Sequence, residues 1–264
     1  MVQYKTSGIT VFQSDLYETT STVIESKEAI IIVDPNWLPK EVLKIRQYVD
    51  EVMGDKKLYV ILTHSDFDHM IGVGAFPEAI IIASEKLKFN SNKQKIIDEI
   101  NTFDNTFYLS RPYPIDYPKV NITVKENETH LQIGDLDCIF YLAPGHTTDG
   151  LFFYIKQLDT IIVGDYLSDV EFPFITSSYS DYLETIKLMK KVIQTNKIQL
   201  LIPGHGKVTH DIEERIEFTL WYLDKIAEQK DIEAKLRKKF SYYDGMKDAH
   251  KNNLKLAKGR DTND

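Results

Sequence analysis

Between Thr63 and His69 the chain reads Thr-His-Ser-Asp-Phe-Asp-His, which puts four groups able to ligate a metal within six positions. Directly before it stands Leu58-Tyr59-Val60-Ile61-Leu62, an apolar run with the length and β-branched content of a buried strand. His64 therefore falls where a strand ends and a loop begins, a place where a rigid element can fix reactive side chains. Alternation along an extended segment would aim His64, Asp66 and Asp68 to one side, and a bend over Phe67 to His69 would bring His69 to the same pocket. Imidazole together with carboxylate suits zinc, manganese or iron. The plain alternative is a polar turn in which Asp66 caps a short helix.

Whole-chain numbers narrow what such a site can serve. The 264 residues give ample length for one large α/β domain. With 40 acidic against 32 basic residues the net charge is -8, which disfavours a surface that tracks phosphates and so a nucleic acid substrate. The single cysteine, Cys138, excludes an internal disulfide and alternates with Leu136 and Phe140 as a buried, inert thiol would. No basic flank and apolar stretch opens the chain, and no apolar run reaches the length of a membrane span. These features predict a cytoplasmic protein with a small-molecule substrate and no membrane partner.

In chain order, strands are expected over residues 9–12, 19–24 and 29–33, with Asp34-Pro35 as a closing turn. Asp34 either begins that turn, the preferred reading, or supports a site from behind. Pro39 then opens a helix with Val42, Ile45, Val49 and Val52 on one face and Gly54 at its end, and the His64 strand follows. A further strand over residues 79–83 leads to one helical stretch over 85–100 and an irregular segment over 108–118, a candidate pocket wall. The second half follows a similar plan, with strands over 120–124, 129–133, 136–142, 151–155 and 160–163, a helix capped by Ser180, and a strand over 198–202. Asp211 with Glu214 starts a long helix to about Gln229, and a basic, helical remainder runs from Ala234 to Arg260 before a frayed end at Asp261 to Asp264.

Of the seven histidines, His64, His69, His146 and His205 lie in strand-end loops beside Gly or Asp, whereas His130, His210 and His250 lack such context and are expected at the surface. The set His64-Ser65-Asp66-Phe67-Asp68-His69, Pro144-Gly145-His146-Thr147, Gly164-Asp165 and Pro203-Gly204-His205-Gly206 resembles the metallo-β-lactamase superfamily in order and in the character of each loop, from Ile9 to about Val208. The resemblance implies an α/β (α+β) fold, a four-layer αβ/βα sandwich over residues 1–210; residues 211–264 lie outside the resemblance and are expected as a helical extension packed on the same domain. It implies two divalent metal ions: His64, Asp66 and His146 on one, Asp68, His69 and His205 on the other, Asp165 between them. The family pattern usually has histidine where Asp66 stands, so iron or manganese becomes plausible beside zinc.

Such a pair of ions implies hydrolysis by a metal-activated water, with Asp68 orienting it or taking its proton; Tyr166 either donates to a developing oxyanion or serves packing, two readings of equal weight. A lactone, thioester or phosphodiester is the expected kind of substrate. The alternative within the superfamily is an iron-dependent oxidoreductase, flavodiiron-like or sulfur dioxygenase-like; the alternative outside it is a non-catalytic binding protein. Asp169, Glu171 and Phe172-Pro173-Phe174 are candidates for the entrance. The C-terminal helices, with Phe240, Tyr242 and Tyr243, are the expected contact of a homodimer or else a lid.

Overall fold

The run Ala29-Ile30-Ile31-Ile32-Val33 is apolar at every position and buried at every position, which a strand achieves only when both its faces are covered. Ala29, Ile31 and Val33 point into a core shared with a second sheet, while Ile30 and Ile32 meet Val42, Ile45 and Val49 of the helix that follows. In a computed structural model that describes residues 1–259, this strand sits inside a seven-stranded sheet. Strands β1 (Val2–Thr6), β2 (Ile9–Gln13), β3 (Thr20–Glu25) and β4 (Ala29–Val33) form an antiparallel meander. Helix α1 (Pro39–Met53) then crosses over so that β5 (Lys57–Ile61) pairs parallel to β4, and β6 (Ile80–Ser84) and β7 (Ile122–Val124) extend the sheet in parallel. Between them lie the single-turn α2 (Phe67–Met70), α3 (Glu85–Lys88) and α4 (Lys93–Thr106).

The second sheet contains β8 (Thr129–Ile133), β9 (Leu136–Leu142), β10 (Leu151–Ile155), β11 (Thr160–Ile162) and β12 (Leu200–Ile202), with α5 (Tyr179–Thr195) as the crossover into β12. Its residues divide as those of β4 do. Leu151, Phe153 and Ile155 face the first sheet, and Phe152 and Tyr154 face α5 together with α6 (Ile212–Ala227), α7 (Glu233–Lys239) and α8 (Tyr243–Lys258). The molecule is thus an α/β sandwich of helices, sheet, sheet and helices. Cys138 is in the sheet-to-sheet core, where burial pushes its thiol up to about 12. Among the described residues no helix is long and apolar enough to cross a membrane.

Several local expectations are corrected. The stretch over 85–100 is two helices, because Asn90 turns its side chain back to the Asn92 amide at 2.7 Å and ends the first. The cap of α5 is Ser178, whose Oγ accepts from the Asp181 amide at 3.2 Å, and Ser180 lies within the first turn. His250 is buried, not superficial, with its ring 3.0 Å from the Tyr222 hydroxyl. Phe240 and Tyr243 are buried in the chain's own core, so of the three aromatic residues expected at a partner only Tyr242 is exposed. Asp261 to Asp264 lie outside the described residues.

Candidate metal centre

Strands β4, β5, β9, β11 and β12 are each followed by a loop that delivers part of one polar cluster. After β5, His64 lies in the connecting loop, Asp66 occupies the cap position of α2 with extended backbone, and Asp68 and His69 come from its first turn. The segment therefore gathers its ligands by a helical turn and not by strand alternation. Asp66 makes no side-chain cap bond. Its carboxylate instead reaches His146 Nε2 at 3.2 Å and His64 Nε2 at 3.7 Å. His146 follows β9, Asp165 follows β11 and His205 follows β12.

Among the described residues three triplets of donor atoms each lie within 4.8 Å: His64 with Asp66 and His146, Asp68 with His69 and His205, and Asp34 with His64 and His69; Asp34 is already bonded to Thr63 and His69, which leaves the first two as candidate ion sites. Asp165 stands between them: Oδ1 is 3.1 Å from His69 Nε2, and Oδ2 is 3.2 Å from both His146 Nε2 and His205 Nε2 and 3.6 Å from His64 Nε2. Three buried atoms at this centre, His64 Nε2, His146 Nε2 and Asp165 Oδ1, form no hydrogen bond. Buried polar atoms without partners cost roughly 1–3 kcal/mol each, a cost that coordination to a cation removes. The donor set fits a pair of divalent ions.

Hydrogen bonds behind the rings fix which nitrogen faces inward. His146 Nδ1 donates to the Phe174 carbonyl at 2.8 Å and His205 Nδ1 to the Tyr17 carbonyl at 2.9 Å. His69 Nδ1 donates to Asp34 Oδ2 at 3.0 Å. His64 Nδ1 donates to Thr63 Oγ1 at 3.0 Å, and that hydroxyl donates in turn to Asp34 Oδ2 at 2.5 Å. All four Nε2 atoms are left as inward-facing donors. The preferred reading of Asp34 as a mere turn residue is thereby corrected: one buried carboxylate orients two ligand rings and takes the Thr63 amide at 2.8 Å as well. Its signal in the sequence was its place directly after β4, the parallel neighbour of the strand bearing His64.

Tyr166 is also corrected. Its hydroxyl faces the backbone of the His146 loop, accepting from the His146 amide at 3.0 Å and facing the Ala143 and Pro144 carbonyls at 2.9 and 3.0 Å. A phenol held this way, 2% exposed, positions His146 and is not available to a substrate oxyanion. Asp149, which no sequence signal marked, ties the two ligand loops together through the Ser65 amide, the Thr147 hydroxyl and Asn90. Gly204 allows the close approach of the last loop, since a Cβ there would lie 2.2 Å from Asp165 Oδ1.

Without an ion the cluster holds protons. Burial works to lower His205, but Asp165 and Glu171 outweigh it and lift the ring to about 10. His69 and His146 are raised for the same kind of reason, their own burial opposed by Asp165 with Asp68 or Asp66. His64 goes down through burial and the nearby His69. Burial would push Asp66 up, yet His146 and His64 hold it at about 2.

A family model described as the metallo-beta-lactamase superfamily matches residues 15–205, which contain all seven of these ligand candidates. The chain belongs to the metallo-beta-lactamase superfamily. It is similar to metallo-beta-lactamase type 2 of Bacillus sp. (strain 170), 20% identical over 75% of this chain and 70% of that protein. It is also similar to the probable metallo-hydrolase YqgX of Bacillus subtilis (strain 168), 24% identical over 72% of this chain and 86% of that one. Among solved structures, the metallo-beta-lactamase family protein TTHA1429 from Thermus thermophilus shares the fold with a TM-score of 0.64 at 15% identity, over 85% of this chain and 82% of that one. The chain is an enzyme of this superfamily, with a His and Asp cluster able to hold metal.

Proposed function

We propose that the protein is a dinuclear metal-dependent hydrolase acting on a small ester-like substrate, a lactone, thioester or phosphodiester. The observation that carries this is Asp165 lying between two ligand triplets whose ring orientation is fixed from behind. Two bound divalent ions supply a water nucleophile usable near neutral pH, its pKa lowered from ~15.7 towards ~7, and a Lewis acid for the electrophile. The chain's own residues do the rest. Asp34, Tyr17 and Phe174 hold the rings, so little reorganisation is needed when substrate arrives. Asp68 Oδ2, 3.3 Å from His69 Nε2 and 3.6 Å from His205 Nε2, is the carboxylate placed to orient the nucleophile or accept its proton. Asp66 keeps 43% of its side chain exposed, so the centre opens on that side.

Zinc is the ion we expect first. A triplet of two imidazoles and a carboxylate also suits manganese or iron, and predominant iron would move the reading to redox chemistry. The test is metal content and turnover in protein prepared without chelator, against a panel of lactones, thioesters and phosphodiesters. About two ions per chain, both activity and metal lost in Asp165→Ala and His205→Ala, is the expected result. Unchanged metal and turnover in these variants would sink the reading.

A further inference from the structure

A cleft of about 780 Å³ lies beside the metal centre, a size that suits a small organic ligand. Its walls come from three distant parts of the chain: the loop before β3, the segment after Asp165, and the start of α8. Two of its residues also belong to the centre's support. Tyr17 and Phe174 line the cleft, while their carbonyls hold His205 and His146. Tyr17 and Glu18 both adopt left-handed backbone, with φ of 52° and 49°, a costly pairing for two side-chain-bearing residues. That loop turns the Tyr17 carbonyl to the ligand ring and leaves the Tyr17 ring 67% exposed.

The chemistry of the lining is one-sided. Tyr17, Phe174, Tyr242 and Met246 give it aromatic and apolar surface, and Tyr242 is 65% exposed. Asp15, Glu18 and Glu171 add carboxylates. Among the described residues no lysine or arginine lines the cleft; Arg237 pairs with Asp244 at its rim, but none of the other three has a basic partner. Among the described residues Glu171 makes no side-chain hydrogen bond or ion pair, and burial pushes its carboxyl up although the nearby His205 ring works against that rise. An acidic cleft with low-dielectric walls concentrates cations, and exposed tyrosine faces attract them further.

From this lining we infer that the cleft binds the non-reacting part of the substrate, an apolar group carrying a positively charged ammonium, with Glu171 facing the charge and Tyr17 and Tyr242 flanking it. The inference deepens the hydrolase reading and rests on it for the word substrate. It places anionic substrates, sulfate esters and phosphodiesters among them, at a disadvantage.

Binding is measured first, by calorimetry on metal-loaded full-length protein with hexyltrimethylammonium and with hexanesulfonate. The cation is expected to bind at least tenfold more tightly, with an advantage that shrinks as salt rises. Glu171→Gln is expected to weaken it about tenfold, and Tyr242→Ala, a change at an exposed ring that leaves folding intact, roughly threefold. Equal binding of the two probes, or binding insensitive to both substitutions, overturns the inference. Turnover is then compared for nitrophenyl esters whose acyl chains end in trimethylammonium, tert-butyl or sulfonate. Cleavage without preference for ammonium removes the subsite and leaves the hydrolase. Ammonium binding that responds to both variants, with no ester, lactone, thioester or phosphodiester cleaved, removes the hydrolase and leaves the subsite.

Discussion

Asp34 stands behind two of the rings of this centre, His69 directly and His64 through Thr63. Its φ of 47° is one that aspartate tolerates better than most residues, and the resulting turn aims both oxygens at Thr63 and His69. Asp34→Ala is expected to leave the fold intact and to lower metal affinity by about 10–100-fold, as loss of a carboxylate behind a ligating histidine does. Chelator competition checks this, and equal affinities would show that the carboxylate is passive. His205 makes a second prediction, for the metal-free protein. Its folded value of about 10 lies above the ordinary 6.5, so its contribution to stability is complete below 6.5 and is lost as pH rises through about 10. Denaturant titrations of metal-free protein should therefore show stability falling between pH 6.5 and 10, and His205→Ala should flatten that fall. Because the same protons compete with the ions, metal uptake should release protons, which calorimetry in buffers of different ionisation enthalpy will detect.

At the scale of elements, α8 is fastened to the segment before α5 through Asn252, whose Nδ2 donates to the Ile175 carbonyl at 3.2 Å, and above all through Asn253. Asn253 is fully buried; its Oδ1 accepts from the Ile175 amide at 3.1 Å, and its Nδ2 donates to the Pro173 carbonyl at 2.5 Å and the Tyr222 hydroxyl at 2.8 Å. Between those two backbone groups lies Phe174, whose carbonyl holds His146 and whose ring lines the cleft. The last helix thus sets the position of a ligand and of a cleft wall together. Asn253→Ala strands several buried polar groups and should cost about 2–4 kcal/mol, more than loss of one hydrogen bond, while also weakening metal retention. Asn253→Asp, which keeps the acceptor and drops the donors, should fall between. Thermal melts with and without metal measure both effects; a loss of stability with full metal retention would confine α8 to packing.

At the scale of the whole molecule, seven ligand candidates from both sheets meet at one place, so ions bound there would tie the two halves of the sandwich to each other. Ions that bind only the folded chain stabilise it by about 4 kcal/mol at a thousandfold excess over Kd. Removing them with a chelator is expected to lower Tm by roughly 8–16 °C for a domain of this size. A Tm indifferent to metal would mean the loops are held by their own hydrogen bonds alone. What the sequence determined by itself is what neighbouring residues decide. Continuous apolar runs such as 29–33 and 151–155 marked strands, and the dense polar stretches after strands marked the loops that carry the candidate ligands. Family resemblance added an expected grouping of those loops, and the family model bears out the superfamily itself. Tertiary structure alone decided what stands behind and beside the ligands. The Asp34 contact to His69, the Tyr17 and Phe174 carbonyls, the inward turn of Tyr166, the burial of His250 and the Asn253 latch all join residues far apart in the chain, and backbone carbonyls carry no residue-specific signal at all. A periodic pattern reports which face of an element is buried; which buried polar atom meets which is fixed only when the elements pack.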